Sequence, residues 1–134
     1  MAKLNVEIVT PERRLAQLEA DEVIAPGAEG LFGVRPGHTP YLSVLQAGPL
    51  TIRDAGKQSV YFVTGGFAEA GPSVVRILAD AAEAKEDIDV EAARKRISDA
   101  QGKLQQLEST APGAEELRQL IVRENRRIEV ASRV

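Results

Sequence analysis

Few side chains in this sequence could do covalent or metal chemistry. The chain of 134 residues has no cysteine and a single histidine, His38. Thiolate nucleophiles, disulfide frameworks, iron–sulfur clusters and thiolate zinc sites are therefore excluded. A Ser-His-Asp triad could draw only on His38, and no Gly-x-Ser-x-Gly elbow supplies its serine. His38 sits in Arg35-Pro36-Gly37-His38-Thr39-Pro40 with no second ligand nearby, so it reads as a turn or contact residue rather than a metal ligand. Gly27, Gly30, Gly33 and Gly37 form a glycine-rich stretch. A phosphate loop would need a Gly-Lys-Ser/Thr ending and a following helix, whereas here Pro36 and Pro40 follow. The glycines read instead as tight turns at one end of a β structure. The remaining chemical feature is cationic: Arg118, Arg123, Arg126, Arg127 and Arg133, interleaved with Glu115, Glu116, Glu124 and Glu129. A solvated charged face is one reading of this segment. The other is a surface for an acidic protein loop or a nucleotide phosphate. With 17 basic against 20 acidic residues the net charge is −3, which argues against a nucleic-acid partner. No set of nucleophile, base and metal ligands points to an enzyme.

The elements that would position these residues differ between the two ends of the chain. Nine of the 11 glycines, six of the seven prolines and all five aromatics precede Asp80, whereas charged, helix-favouring residues dominate after it. This predicts an α+β protein: an N-terminal antiparallel β-sandwich over residues 1–84, then a C-terminal antiparallel two-helix hairpin over 85–134. Leu4, Val6 and Ile8 alternate before Thr10-Pro11. Further strand-sized pieces are Val23-Ile24-Ala25, Tyr41 to Leu45, Leu50 and Ile52, Val60 to Val63, and Val74 to Leu78. Asp54-Ala55-Gly56-Lys57 reads as a hairpin turn. Val60-Tyr61-Phe62-Val63 is apolar on both faces. Either its own protein covers it on both sides, or one face meets a partner.

In the second half, Val90, Ala93, Ile97, Ala100, Leu104 and Leu107 recur at spacings of three and four, the pattern of one helical seam. Asp87 or Asp89 supplies the N-cap. After Ser109-Thr110-Ala111-Pro112-Gly113, a second stripe carries Ala114, Leu117, Ile121 and Ile128, with Glu124 interrupting it. Two alanines in the first stripe and a carboxylate in the second make a thin seam, as expected of a mobile hairpin with two resting places. No run approaches 18 apolar residues, so no direct membrane insertion is expected. The N-terminus does not read as a targeting segment.

The order of the short motifs is more specific than any one of them. Pro26-Gly27-Ala28-Glu29-Gly30-Leu31-Phe32-Gly33-Val34 leads into Pro36-Gly37-His38-Thr39-Pro40. There follow Gly48-Pro49-Leu50-Thr51-Ile52-Arg53, Thr64-Gly65-Gly66-Phe67-Ala68-Glu69, Leu78-Ala79-Asp80-Ala81-Ala82-Glu83 and Asp87-Ile88-Asp89. From about Leu4 to Asp89 the chain resembles the epsilon-subunit family of bacterial and chloroplast F-type ATP synthases.

The resemblance implies a non-catalytic subunit at the foot of the central stalk. It would turn with the rotor and couple proton flow to ATP synthesis, as a peripheral protein on the cytoplasmic face of the bacterial inner membrane. One face of the sandwich would meet the gamma subunit, and its end loops the c-ring. The resemblance assigns that contact region to Glu29, Gly30, Leu31, Phe32, Gly33, Pro36, Gly37, His38 and Pro40, with His38 towards gamma. Some members carry an acidic residue where Leu31 stands. An extended hairpin would reach the alpha/beta catalytic head and inhibit ATP hydrolysis through basic residues of its second helix, here Arg118, Arg123, Arg126 and Arg127. Some members bind ATP through Ile/Leu-Asp-x-x-Arg-Ala. Here Ile88 and Asp89 are present but Ala92 replaces the arginine, and Arg94 lies about 200° further round the helix. No cofactor is therefore expected, ATP included. The alternative from another class is a cytosolic adaptor that pairs a β-sandwich binding module with a coiled-coil hairpin.

Overall fold

The computed structural model describes residues 2–133. They fall into two compact units, Met1–Lys85 and Glu86–Val134. The first holds ten strands: β1 (Leu4–Val9), β2 (Arg14–Ala20), β3 (Glu22–Gly27), β4 (Gly30–Val34), β5 (Tyr41–Leu45), β6 (Gly48–Asp54), β7 (Lys57–Val63), β8 (Gly66–Ala70), β9 (Val74–Ala79) and β10 (Ala82–Ala84). Hydrogen bonds link them in the order β10-β7-β6-β3-β5-β8-β9-β1-β2, with β4 paired to β3. The sheet folds back on itself, and both halves supply one core that includes Leu4, Val6, Ile8, Leu50, Ile52 and Ile77. Leu4, Val6 and Ile8 are completely buried while Asn5 is exposed, as their alternation requires.

The expected class, a β-sandwich followed by two helices, is what the chain adopts. One pairing is parallel: β1 lies beside β9 from Asn5↔Val74 to Val9↔Leu78. Four strands went unread in the sequence: β2, β4, β8 and β10. Three of them, β2, β8 and β10, are built of small or polar residues and single large apolar ones, with no β-branched residue. The glycine-rich stretch is not a loop throughout. Gly27 and Gly30 end the paired strands β3 and β4, Ala28 and Glu29 make a two-residue turn, and Gly33 lies inside β4. Only Gly37 is in a loop, with φ 89°. The Asp54–Lys57 turn is a tight hairpin in which Ala55 and Gly56 both take positive φ, 52° and 80°. The doubly apolar strand resolves in favour of burial: Val60, Phe62 and Val63 are all buried.

The two halves of the sheet join at a corner. There β3 meets β5 through one residue pair, Gly27↔Leu45. The corner is reinforced by Ala28 N donating to Val44 O (2.9 Å), Gln46 N to Pro26 O (2.9 Å) and Gln46 Nε2 to Gly27 O (2.9 Å). A Cβ on Gly27 would lie 2.9 Å from both Gly30 O and Phe32 Cδ1. Glycine is thus required where the sheet turns.

Charged pairs tie the strand ends together. Glu22, at the start of β3, accepts from Arg35 Nε (3.1 Å) and Arg53 Nη1 (3.0 Å). The guanidinium of Arg35, with that of Arg53, holds the Glu22 carboxyl below its ordinary range. Lys3 bridges Asp21 (2.7 Å) and Asp54, and Asp21 also accepts from Ala55 N (2.8 Å). The Lys3 hydrogen bond lowers the Asp21 pKa.

In the second unit, α1 (Val90–Gln105) follows a single 3₁₀ turn (Lys85–Asp87) and is capped by Asp89, whose carboxylate accepts from Ala92 N. Asp87 takes no part in that cap. The α2 helix (Ala114–Ala131) starts at Gly113, which takes φ 87°. Arg96 in the first half of α1 meets Glu124 in the second half of α2, so the helices run antiparallel. Leu107, expected to extend the first seam, lies beyond the end of α1 and is 40% exposed.

Two outcomes follow from this packing. Gly27→Ala should lower stability by roughly 1–3 kcal/mol, the usual cost of overpacking, measured by urea unfolding. Glu22 and Asp21 bind protons more weakly folded than unfolded, so their contribution is present at neutral pH and disappears as pH falls below about 4.5. In an acid titration of the melting temperature, Glu22→Gln should shrink the drop between pH 5 and pH 3, while wild type shows it in full.

Candidate functional site

The β3–β4 hairpin is the first candidate surface. Its tip exposes Ala28, Glu29 and Gly30, and Leu31 beside it is 61% exposed. Phe32, the next residue, is half-buried and meets Tyr41 edge to face, with ring centroids 5.3 Å apart. Tyr41 also lies 6.3 Å from the His38 ring. The hairpin and the Pro36–Pro40 loop therefore converge on one aromatic ring. Gly37 N donates to Pro72 O (2.7 Å), which ties the loop to the turn before β9. His38 Nδ1 lies 2.6 Å from Thr39 O, a local contact that makes no site. Pro36 is half-buried, Pro40 exposed. Gly33 points elsewhere, towards the Glu22 carboxylate. A cleft of about 430 Å³ separates the hairpin tip from β5, between Leu31 and Phe32 on one wall and Tyr41, Leu42 and Val44 on the other.

Beyond the cleft, an exposed apolar row continues across three strands. Val44, Phe67 and Leu78 are direct cross-strand partners on β5, β8 and β9. They are 53%, 49% and 36% exposed, and Leu42, on the same face of β5, is 66% exposed. A contiguous apolar surface of this kind is what a binding face presents. A ladder of charge borders it. Glu69 and Arg76 lie 3.9 Å apart, Arg76 and Glu7 4.0 Å, and Glu7 and Arg14 3.4 Å, in sequence over β8, β9, β1 and β2. Sequence reasoning leaves Val60–Val63 either covered by its own protein or open to a partner on one face, and misses this row. A partial signal is present: Leu42 and Val44 alternate on one face of Tyr41-Leu42-Ser43-Val44-Leu45, opposite Tyr41, Ser43 and Leu45.

The hairpin supplies the second candidate. Glu124, which breaks the apolar stripe, is 1% exposed and is the largest fully buried side chain of the helical unit. Its Oε1 accepts from Arg96 Nε (2.7 Å) and Arg127 Nε (3.1 Å), and Arg123 Nε lies 3.4 Å from Oε2. Burial lowers the Arg127 pKa. Of the four arginines singled out in the sequence, two therefore gather on Glu124. Arg118 does not join them; it pairs with Glu115 (3.1 Å) and donates to Ser109 O (3.1 Å). Arg126, half-buried, is not among the groups on Glu124. Sequence reasoning did not find Arg96, because its partner lies 28 residues away. At the start of α1, Asp89 is engaged as the N-cap, Ile88 and Ala92 are half-buried, and Arg94 turns to Glu91 (2.7 Å).

Residues 3–85 match the family model described as ATP synthase, delta/epsilon chain, beta-sandwich domain. The ATP synthase epsilon chain of Myxococcus xanthus (strain DK1622) is 55% identical over 109 residues, 81% of this chain and 80% of that one. The ATP synthase epsilon chain of Anaeromyxobacter sp. (strain K) is 47% identical over 104 residues, 78% of this chain and 79% of its own length. Among solved structures, a chain in the cryo-EM structure of the Euglena gracilis mitochondrial ATP synthase (OSCP/F1/c-ring) shares the fold. Its TM-score is 0.73 at 23% identity, over 96% of this chain and 77% of that one. On the extent and identity of these matches, the chain belongs to the ATP synthase epsilon-chain family.

Proposed function

We infer that this chain is a non-catalytic subunit of the ATP synthase central stalk, turning with the rotor and coupling proton translocation to ATP synthesis. The observation that carries this reading is the 55% identity to an epsilon chain over four fifths of both proteins. Among the described residues, no helix is long and apolar enough to cross a membrane. A peripheral position on the cytoplasmic face of the bacterial inner membrane, held there by other subunits, suits such a chain.

Each candidate surface has a natural partner on this reading. The apolar row Val44-Phe67-Leu78 with Leu42 suits the gamma subunit, since an obligate contact buries apolar side chains and leaves charge at its rim. The Glu69–Arg76–Glu7–Arg14 ladder would form that rim. The projecting tip at Glu29, Gly30 and Leu31 suits the polar loops of the c-ring. Leu31 makes that contact one of packing rather than of charge. The α2 arginines suit an acidic loop of the alpha/beta head when the hairpin is extended, and would restrain ATP hydrolysis there. ATP itself is not a ligand on this reading. Position 92 offers a methyl group where a guanidinium would be needed, and Asp89 is already engaged by the helix cap.

Phe67→Asp places a charge on an exposed position, so the sandwich should still fold. A pull-down of tagged chain from detergent-solubilised membranes of its own host should then lose gamma, c subunits and ATPase activity that wild type retains in stoichiometric amounts. A wild-type chain that comes down alone would overturn the assignment. Deleting residues 113–134 should leave assembly intact and raise the hydrolysis rate of the assembled complex, and an unchanged rate removes the regulatory role.

A further inference from the structure

We propose that the free half-edge of β5 beside the cleft is a strand-addition site: an extended segment of the subunit seated on the apolar row pairs its main chain with Leu42 there. The free edge stands on geometry alone. The identity of the occupant, gamma, rests on the function proposed above.

The hydrogen bonds at the sheet corner fix which way each backbone group of β5 faces. Ala28 N donates to Val44 O and Gln46 N to Pro26 O, on either side of the Gly27↔Leu45 pair. Val44 therefore turns its carbonyl towards β3, and Leu45 turns its backbone groups towards β8. The β5–β8 register runs without a break from Tyr41↔Ala70 to Leu45↔Gly66. Alternation then gives Tyr41 and Ser43 to the β8 ladder and aims the N–H and C=O of Leu42 the other way. The β3 strand does not reach that far, because the chain turns back at Ala28 and Glu29. Among the described residues, no strand pairs with this edge of β5 over Tyr41–Ser43, and Leu42 lines the cleft there.

Three features suit this edge to a partner's main chain. The first is its shape. The vacant place lies between β5 and the hairpin tip, and its free stretch of three residues is about 10 Å long, so a segment of equal length would span it. The second is the lack of protection. At the ends of the ladder, β2 carries Arg14 and Glu19, and β10 is only three residues long with Glu83 at its centre. Charge and shortness are how exposed edges resist pairing. Tyr41-Leu42-Ser43 carries no charge. The third is continuity. The Leu42 side chain belongs to the exposed apolar row, while its backbone borders the cleft, so one partner lying on the row reaches both. A second copy of this chain is less suited, since the edges at the ends of its ladder are the guarded ones. The two contacts do different work. Apolar packing is non-directional, whereas paired N–H and C=O groups fix the register of the added segment.

Leu42→Pro tests the edge, because it removes an outward N–H and no bond of the β5–β8 ladder. Leu42→Ala keeps the N–H and removes the side chain. In the pull-down of tagged full chain from detergent-solubilised host membranes, Leu42→Pro should recover several-fold less gamma than Leu42→Ala. Equal recovery would overturn the strand addition. Hydrogen exchange reads the same bond independently. Between the isolated chain and the assembled complex, a peptide covering residues 41–45 should gain protection at about one amide or more. Unchanged uptake would overturn the proposal, and this result decides if Leu42→Pro fails to fold. Protection that builds with concentration in the isolated chain, alongside a dimer in sedimentation, would overturn gamma as the occupant in favour of a second copy. A wild-type chain that recovers no gamma overturns the rotor assignment and the occupant with it. Wild-type recovery with an insensitive Leu42→Pro overturns the strand addition alone.

Discussion

The first strand holds the sandwich together. β1 sits between β9 and β2, parallel to one and antiparallel to the other, although β9 lies some seventy residues further along the chain. Its inward residues Leu4, Val6 and Ile8 are sealed from solvent in the middle of the core. Without β1, the β8–β9 pair would end in an open edge, and the row Val44-Phe67-Leu78 would rest on an unsupported strand. That external face therefore depends on β1 pairing with a strand some seventy residues further along. Lys3, gripping Asp21 and Asp54, fixes the start of that strand.

Local signals carried most of what the sequence disclosed. The alternation of Leu4, Val6 and Ile8, the Asp54–Lys57 turn and the Asp89 cap are written in neighbouring residues, and each is present as read. The motif order from Pro26 to Asp89 added the family. What escaped was non-local. β2 has only Leu15, Ala16, Leu18 and Ala20 to mark it, and it becomes a strand because β1 offers it a hydrogen-bonding edge. The direction of the β1–β9 pairing leaves no mark in either segment. Glu124 stood out as a flaw in a stripe, and nothing near it in sequence announces Arg96. The candidate surface was half legible. Leu31 and the hairpin tip could be named, but the row from Val44 to Leu78 exists only once register sets three distant strands side by side.

The two units spend their buried residues differently. The sandwich excludes charge from its core and keeps ion pairs such as Glu22–Arg35 and Glu7–Arg76 on its outside, where solvent shares them. The hairpin does the reverse and places its one fully buried charge at the contact between helices. An apolar core specifies a shape that is costly to leave, whereas a buried paired charge specifies a register between the helices.

The unbroken ladder from β10 to β2 has a mechanical meaning. Adjacent strands are joined by rows of hydrogen bonds lying across the strand direction. A load that pulls one strand along its axis must shear a whole row at once rather than open bonds singly. Force entering at the β3–β4 tip can therefore pass sideways through β3, β5 and β8 to the outer face without any strand peeling away. The single Gly27↔Leu45 pair at the corner is the narrowest point of that route.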